Sequence, residues 1–218
     1  LPGGGRALVT TRAEGNLSTQ RGEGHERGRL KRDELCERLA LEWLCASRQV
    51  HGAEVQLVRS RTGTLGEAVS IDADGHATSL SGIGTMILSA DCLPVALGCD
   101  GAVAMVHAGW RGLAAGVLER GVQALCELGG TGEIGAVIGP GAGVCCYEVG
   151  PEVHRAFASA HAVGHNIDLR AIARERLEAA GVAQVRDAEV CTICDERFFS
   201  HRREGERAGR QAGVAWLS

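Results

Sequence analysis

The sequence predicts a single α/β domain over residues 1–218, and three observations predict it. Short apolar runs of strand length, at 83–89 and 102–107, are interleaved with stretches whose apolar residues recur at helical spacing. Hydrophobic residues make up 44% of the 218, enough for a sizeable core. No internal repeat and no long linker divides the chain.

The elements follow in order. Residues 6–10 (RALVT) read as a short strand. Residues 15–29, rich in Gly, Arg and Glu with little apolar content, read as a mobile surface loop. Residues 30–46 read as a helix, because Leu35, Leu39 and Trp43 recur every four positions. Residues 53–59 (AEVQLVR) alternate like a strand, and 83–89 and 102–107 are apolar enough for buried strands. Residues 112–128 give the clearest helix, with Leu113, Val117, Gly121, Ala124, Leu125 and Leu128 on one face. "EIGAVIGPG" reads as a strand ended by Gly-Pro-Gly. Helices are expected over 151–161 and 168–180, and a strand near 185–190.

Composition excludes several classes of function. A net charge of −4 gives no basic footprint for nucleic acid or a membrane surface. Aromatic residues, 3% of the chain, are too few for base-stacking platforms. The longest apolar runs fall short of a membrane span. "LPGGGRALVT" lacks the charged and apolar regions of a signal peptide; with no initiating methionine, the sequence can begin inside a longer protein. Nine cysteines, an odd number in a chain of this size, argue against a disulfide framework and for a reducing cytoplasm.

Three residues invite a joint reading: His51 in "RQVHGAEV", Cys92 in "SADCLPV" and His107 in "MVHAGWRG". Each lies near the end of an apolar segment, where scaffolds place functional groups. Two imidazoles and a thiolate suit Zn²⁺ with a fourth position open. The same residues also read as a backbone-capping histidine, a small buried hydrophobe and a satisfied core histidine. After His107, Gly109 and Gly112 permit tight geometry at a helix start, and Arg111 beside them makes an anion or phosphate site. Arg48 is a second candidate anion contact, and each arginine also reads as a surface residue. "GPGAGVCCYEVG" brings Cys145, Cys146, Tyr147 and Glu148 behind a turn; a Tyr147 hydroxyl or Glu148 carboxylate near a metal could move protons, or the stretch is a turn and a helix start. "CTIC" at 191–194 has the spacing of half a metal site without a second half.

At these residues the sequence resembles a known family. "RQVHG", "ADCLPV", "HAGWRGLAAGVLE", "IGPGAGVCCYEVG", "CTICDERFFSHRR" and "GRQAGVAWL" together resemble the YfiH-like family, also called the laccase-domain or polyphenol oxidase family. The resemblance runs from about Arg48 to the C-terminus. It implies an α/β (α+β) fold, one layered domain of mixed β-sheets flanked by helices. It also implies a metal, Zn²⁺ or Cu²⁺, held by His51, Cys92 and His107.

Two activities attach to the family: copper-dependent oxidation of phenols, and purine nucleoside chemistry. The second comprises phosphorolysis of adenosine, inosine, guanosine and methylthioadenosine, plus deamination of adenosine. The chain has eight histidines and no His-X-His pair, too few for a mononuclear copper plus a trinuclear cluster. Met105, on the same strand face as His107, is the only local axial ligand for a lone type 1 copper, and reads equally as core. Zinc lowers the pKa of a water and so suits attack on C6 of adenine, although the H-x-E…P-C-x-x-C deaminase signature is absent. Nucleosides and phosphate are thus the expected partners, with Arg48, Gly109, Arg111 and Gly112 as the expected phosphate contacts. A metal-free hydrolase using Cys92 and His107 as nucleophile and base is the alternative from another class.

Overall fold

The computed structural model describes residues 1–19, 23–61 and 69–218. In chain order, β1 (Gly5–Val9) is followed by α1 (Glu23–Arg38), β2 (Trp43–Cys45), β3 (Ser47–Arg48), β4 (Val55–Val58) and β5 (Val69–Asp72). Then come β6 (Gly75–Thr78), β7 (Ile83–Ser89), β8 (Leu93–Asp100), β9 (Ala102–Ala108), α2 (Trp110–Ala115) and α3 (Val117–Glu127). The chain continues through β10 (Thr131–Ile138), α4 (Pro151–Ala156), β11 (Ala162–Val163), β12 (Asn166–Ile167) and α5 (Leu169–Ala179). It closes with β13 (Gln184–Asp187), α6 (His201–Glu204) and β14 (Gln211–Leu217).

The predicted α/β fold with mixed sheets is the one observed. A six-stranded sheet runs β13-β10-β8-β9-β6-β4 and a four-stranded sheet β1-β14-β7-β2. β4 pairs β6, β10 pairs β13 and β2 pairs β7 in parallel; the remaining pairs of these sheets are antiparallel.

Side-chain alternation sets the layers. On β9, Ala102, Ala104, Val106 and Ala108 pack with Leu118, Leu125 and Leu177 of α3 and α5, while Val103 and Met105 face Ile87 and Ala215 of the other sheet. Beyond the four-stranded sheet, Met86 and Val214 pack under Leu35 and Cys36 of α1. The order is therefore helix, sheet, sheet, helix. His107 continues the inward face of β9, so it emerges at the end of the layer between the sheets.

Several expected elements differ. The loop expected over 15–29 is irregular only through Thr19 among its described residues, and from Glu23 the chain is helical. That helix has few apolar residues, and polar and backbone contacts add to the packing of Leu35 and Cys36. Arg32 Nε donates to the Leu17 carbonyl (2.9 Å), and Gly28 lets α1 lie against the Ser18 carbonyl, where a side chain would collide. The helix expected over 30–46 stops at Arg38, and Trp43 lies in β2. The helix expected over 112–128 divides at Gly116, whose φ of 89° is left-handed. β8 and β14 were not expected. Among the described residues, no helix is long and apolar enough to cross a membrane.

Candidate metal centre

The register of the six-stranded sheet gathers the site. Leu93 pairs with Ala108 and Gly75 with Val106, which puts the start of β8, the end of β9 and the start of β6 side by side. Cys92 precedes β8, His107 is the last residue but one of β9, and His51 lies on the loop between β3 and β4. One donor atom from each of His51, Cys92 and His107 falls within 4.8 Å of the others. The two imidazoles meet edge to face, with centroids 4.9 Å apart.

Asp74, fully buried just before β6, organises this cluster and was not found by sequence reasoning. Its Oδ1 accepts from His107 Nδ1 (2.8 Å) and from the His51 amide (3.0 Å). Its Oδ2 accepts from the amides of Val50 (3.0 Å) and Gly52 (2.7 Å), and its carbonyl accepts from the His107 amide (2.7 Å). Three successive amides converging on one carboxylate form an anion-binding nest, here filled by the protein itself. The nest explains why His51 holds a left-handed φ of 59°, a strained state of order 1–3 kcal/mol for a non-glycine residue. The Asp74 bond also fixes the His107 tautomer: Nδ1 carries the proton and Nε2 is left for the cluster.

Cys92 is positioned by a second strained residue. Asp91 has φ 89°; its carboxylate accepts from Thr192 Oγ1 (2.8 Å) and the Arg202 amide (2.8 Å). Burial opposes the Cys92 thiolate, but His107 and His51 overcome it and bring the thiol down to about 6. Burial also opposes charge on His107, yet the Cys92 thiolate and Asp74 carry its imidazole up to about 9. Without a metal, each of the two groups thus favours the charged form of the other. The donor set, the oriented Nε2 and the stabilised thiolate all fit a borderline-soft divalent ion such as Zn²⁺.

The centre opens into a cleft of about 640 Å³ lined by His51, Cys92, His107, Arg48, Arg111 and Tyr147, with Ser89, Arg202 and Arg210 also on its wall. Arg48 is bound through two hydrogen bonds to Asp72 (2.5 and 2.7 Å). Arg111 stacks on Trp110, 4.3 Å from ring centroid to guanidinium carbon, and has no carboxylate partner among the described residues. Gly109 and Gly112 line no part of the cleft; they serve packing. A Cβ on Gly109 would stand 2.9 Å from Cys92 Sγ and 3.2 Å from His51 Cδ2, and one on Gly112 would stand 2.9 Å from the Gly52 carbonyl. Tyr147 is buried beneath Arg202, and burial pushes its hydroxyl up to about 12, so it keeps its proton. Glu148 is exposed and outside the cleft; its carbonyl accepts from Arg202 Nη1 (2.6 Å). Ser89 Oγ is buried without a hydrogen-bond partner. Met105 is packed against Gly213 between the sheets, not at the metal centre, as a core residue.

Comparison with known proteins agrees with this architecture. Residues 5–218 match the family model described as multi-copper polyphenol oxidoreductase laccase. A purine nucleoside phosphorylase of Xylella fastidiosa is 43% identical over 223 residues, covering 93% of this chain and 84% of that protein. An adenosine deaminase of an unknown prokaryotic organism is 37% identical over 192 residues, covering 78% of this chain and 73% of its own. The crystal structure of a Neisseria meningitidis protein of the DUF152 family superposes with a TM-score of 0.83 at 31% identity, covering 100% of this chain and 96% of the other.

Proposed function

This chain belongs to the multi-copper polyphenol oxidoreductase laccase family, the YfiH or DUF152 group, and we propose that it is a metal-dependent purine nucleoside phosphorylase with adenosine deaminase activity. The observation that carries the reading is the His51–Cys92–His107 cluster, oriented by Asp74 and open to a nucleoside-sized cleft. One relative named a purine nucleoside phosphorylase and another named an adenosine deaminase support it. Adenosine, inosine, guanosine and methylthioadenosine are the proposed nucleosides. Nine free thiols fit a reducing cytoplasm as the location.

His51, Cys92 and His107 would hold Zn²⁺, with Cu²⁺ the alternative ion. When bound, the ion supplies Lewis-acid chemistry and a water of lowered pKa. The chain's own residues do the rest. In phosphorolysis the C1′–N9 bond breaks, a phosphate oxygen bonds C1′, and the purine leaves with a proton. Arg111, a cleft arginine without a carboxylate partner among the described residues, is the proposed phosphate contact. Arg48 shares its charge with Asp72 and so adds less. Gly109 and Gly112 contribute by keeping the turn tight enough for Arg111 to flank the centre. Tyr147 keeps its proton and therefore donates a hydrogen bond. Glu148 acts through its carbonyl, which anchors Arg202 over Tyr147. Ser89 offers its unsatisfied hydroxyl to a polar ligand atom.

The contact between Cys92 and His107 also favours a metal-free nucleophile–base reading. One assay series separates the readings. Purified protein is given inosine or adenosine with and without phosphate, and hypoxanthine, adenine and inosine are followed by chromatography. Phosphate-dependent release of hypoxanthine is expected, together with conversion of adenosine to inosine. Full turnover by metal-stripped protein would favour the dyad instead. Arg111→Ala is expected to raise the KM for phosphate at least tenfold with metal content unchanged; an unaltered KM would remove Arg111 from the phosphate site.

A further inference from the structure

We propose that Cys145, Cys146, Cys191 and Cys194 form a second metal site, a closed tetrathiolate for Zn²⁺, apart from the His51–Cys92–His107 centre. The sequence offered "CTIC" as half a site. The structure supplies the other half: the adjacent pair Cys145–Cys146 lies against it, and the four sulfurs lie within 4.8 Å of one another. Zinc–sulfur bonds of about 2.3 Å place tetrahedral sulfurs about 3.8 Å apart. Here Cys145 Sγ is 3.6 Å and Cys146 Sγ 3.0 Å from Cys194 Sγ, so small side-chain rotations suffice.

The surroundings are those of a thiolate site. The Gly143 amide donates to Cys191 Sγ (3.2 Å), the type of outer bond that stabilises metal-bound sulfur. The turns are set by main-chain bonds that need no metal: Cys146 and Tyr147 amides to the Gly143 carbonyl, Asp195 amide to the Cys191 carbonyl, and Thr192 amide to the Gly141 carbonyl. Four thiolates around Zn²⁺ leave two negative charges. Two guanidiniums bond the carbonyls flanking Cys191, Arg170 at Val190 (2.5 Å) and Arg203 at Thr192 and Ile193 (2.8 and 2.9 Å). Cys145 and Cys194 are exposed, so an ion reaches the site from solvent.

Four protein ligands leave no open position, so the site is structural rather than catalytic. It joins the turn leading into Tyr147 to the turn bearing Thr192, whose hydroxyl holds Asp91 beside Cys92. The ion would fix one wall of the cleft from behind.

The test uses the reduced, metal-stripped full chain titrated with Zn²⁺ or Cd²⁺ alone. Two ions per chain are expected by native mass spectrometry. With Cd²⁺, one ion should show the strong ultraviolet charge transfer of four thiolates and the other that of one. The double variant Cys191→Ser, Cys194→Ser should hold one ion, and His51→Ala should keep the four-thiolate absorption. Should the double variant fail to fold, the wild-type cadmium spectrum decides alone. Absence of four-thiolate absorption from every bound Cd²⁺, or a Cys146–Cys194 disulfide persisting under reductant in place of the ion, would overturn the proposal; one ion with four-thiolate absorption would uphold it and count against the His51–Cys92–His107 centre instead.

Discussion

Asp74 contacts both histidine segments of the candidate metal centre. It orients His107 through Nδ1 and fixes the left-handed His51 through its amide. Asp74→Asn keeps the shape but weakens both roles, because a neutral amide is a poorer acceptor for the four N–H groups that converge there. Metal affinity should fall roughly 10- to 100-fold, as it does for other partners of ligating histidines. Chelator competition measures it. Asp72→Asn is the control: it touches only the exposed Arg48 pair and should leave the affinity unchanged. Equal affinity in Asp74→Asn and wild type would show that the nest is structural only. Sequence singled out His51, Cys92 and His107, which the structure brings together, because each is a reactive residue near a strand end and lies in a motif of the family resemblance. It passed over Asp74 because an Asp-Gly before a strand is also an ordinary turn signal. It passed over Asp91 as anchor because the partners, Thr192 and Arg202, are about a hundred residues away.

At the scale of elements, Gly116 separates α2 from α3 with a backbone that L-residues rarely adopt. Gly116→Ala should cost about 1 kcal/mol, which for a chain of this size lowers Tm by roughly 2–4 °C. Metal content should not change, since Gly116 touches none of the ligands. A Tm equal to or above that of wild type would mean that the two helices prefer to be one. Helical period was the right signal along 112–128, yet it could not register this break, because the apolar stripe continues through it. The same period misled at 30–46. Leu35 and Trp43 are both buried, but in different clusters, one under α1 and the other around β2. β8 was hidden by Pro94, which ordinarily marks an edge; here its carbonyl accepts from the Gly139 amide (2.8 Å) and the strand is central. Strands β7, β9 and β10 were legible because each carries a mostly apolar run of strand length.

The whole molecule turns on the layer between its two sheets, which holds both dry packing and buried imidazole. Met105 belongs to the packing. Met105→Leu conserves volume and should cost less than about 1.5 kcal/mol, with metal stoichiometry and any copper spectrum unaltered; an altered copper spectrum would restore Met105 as a ligand. His76 is the imidazole that no metal centre uses. It is fully buried, with Nε2 2.7 Å from Ser47 Oγ and Nδ1 without a partner. Burial is the chief cause that holds it down at about 4, against 6.5 for an ordinary histidine. The folded state therefore refuses a proton that the unfolded chain accepts. Above 6.5 neither state is charged and the contribution of His76 is complete. As pH falls from 6.5 toward 4 the unfolded state alone gains protons, and stability drops, by roughly 3 kcal/mol from this group once both limits are passed. Urea unfolding of the metal-free protein across that window reads the slope. His76→Gln, which cannot titrate, should be less stable than wild type at pH 7 yet lose less on acidification. Parallel curves for the two proteins would assign the acid sensitivity to other groups.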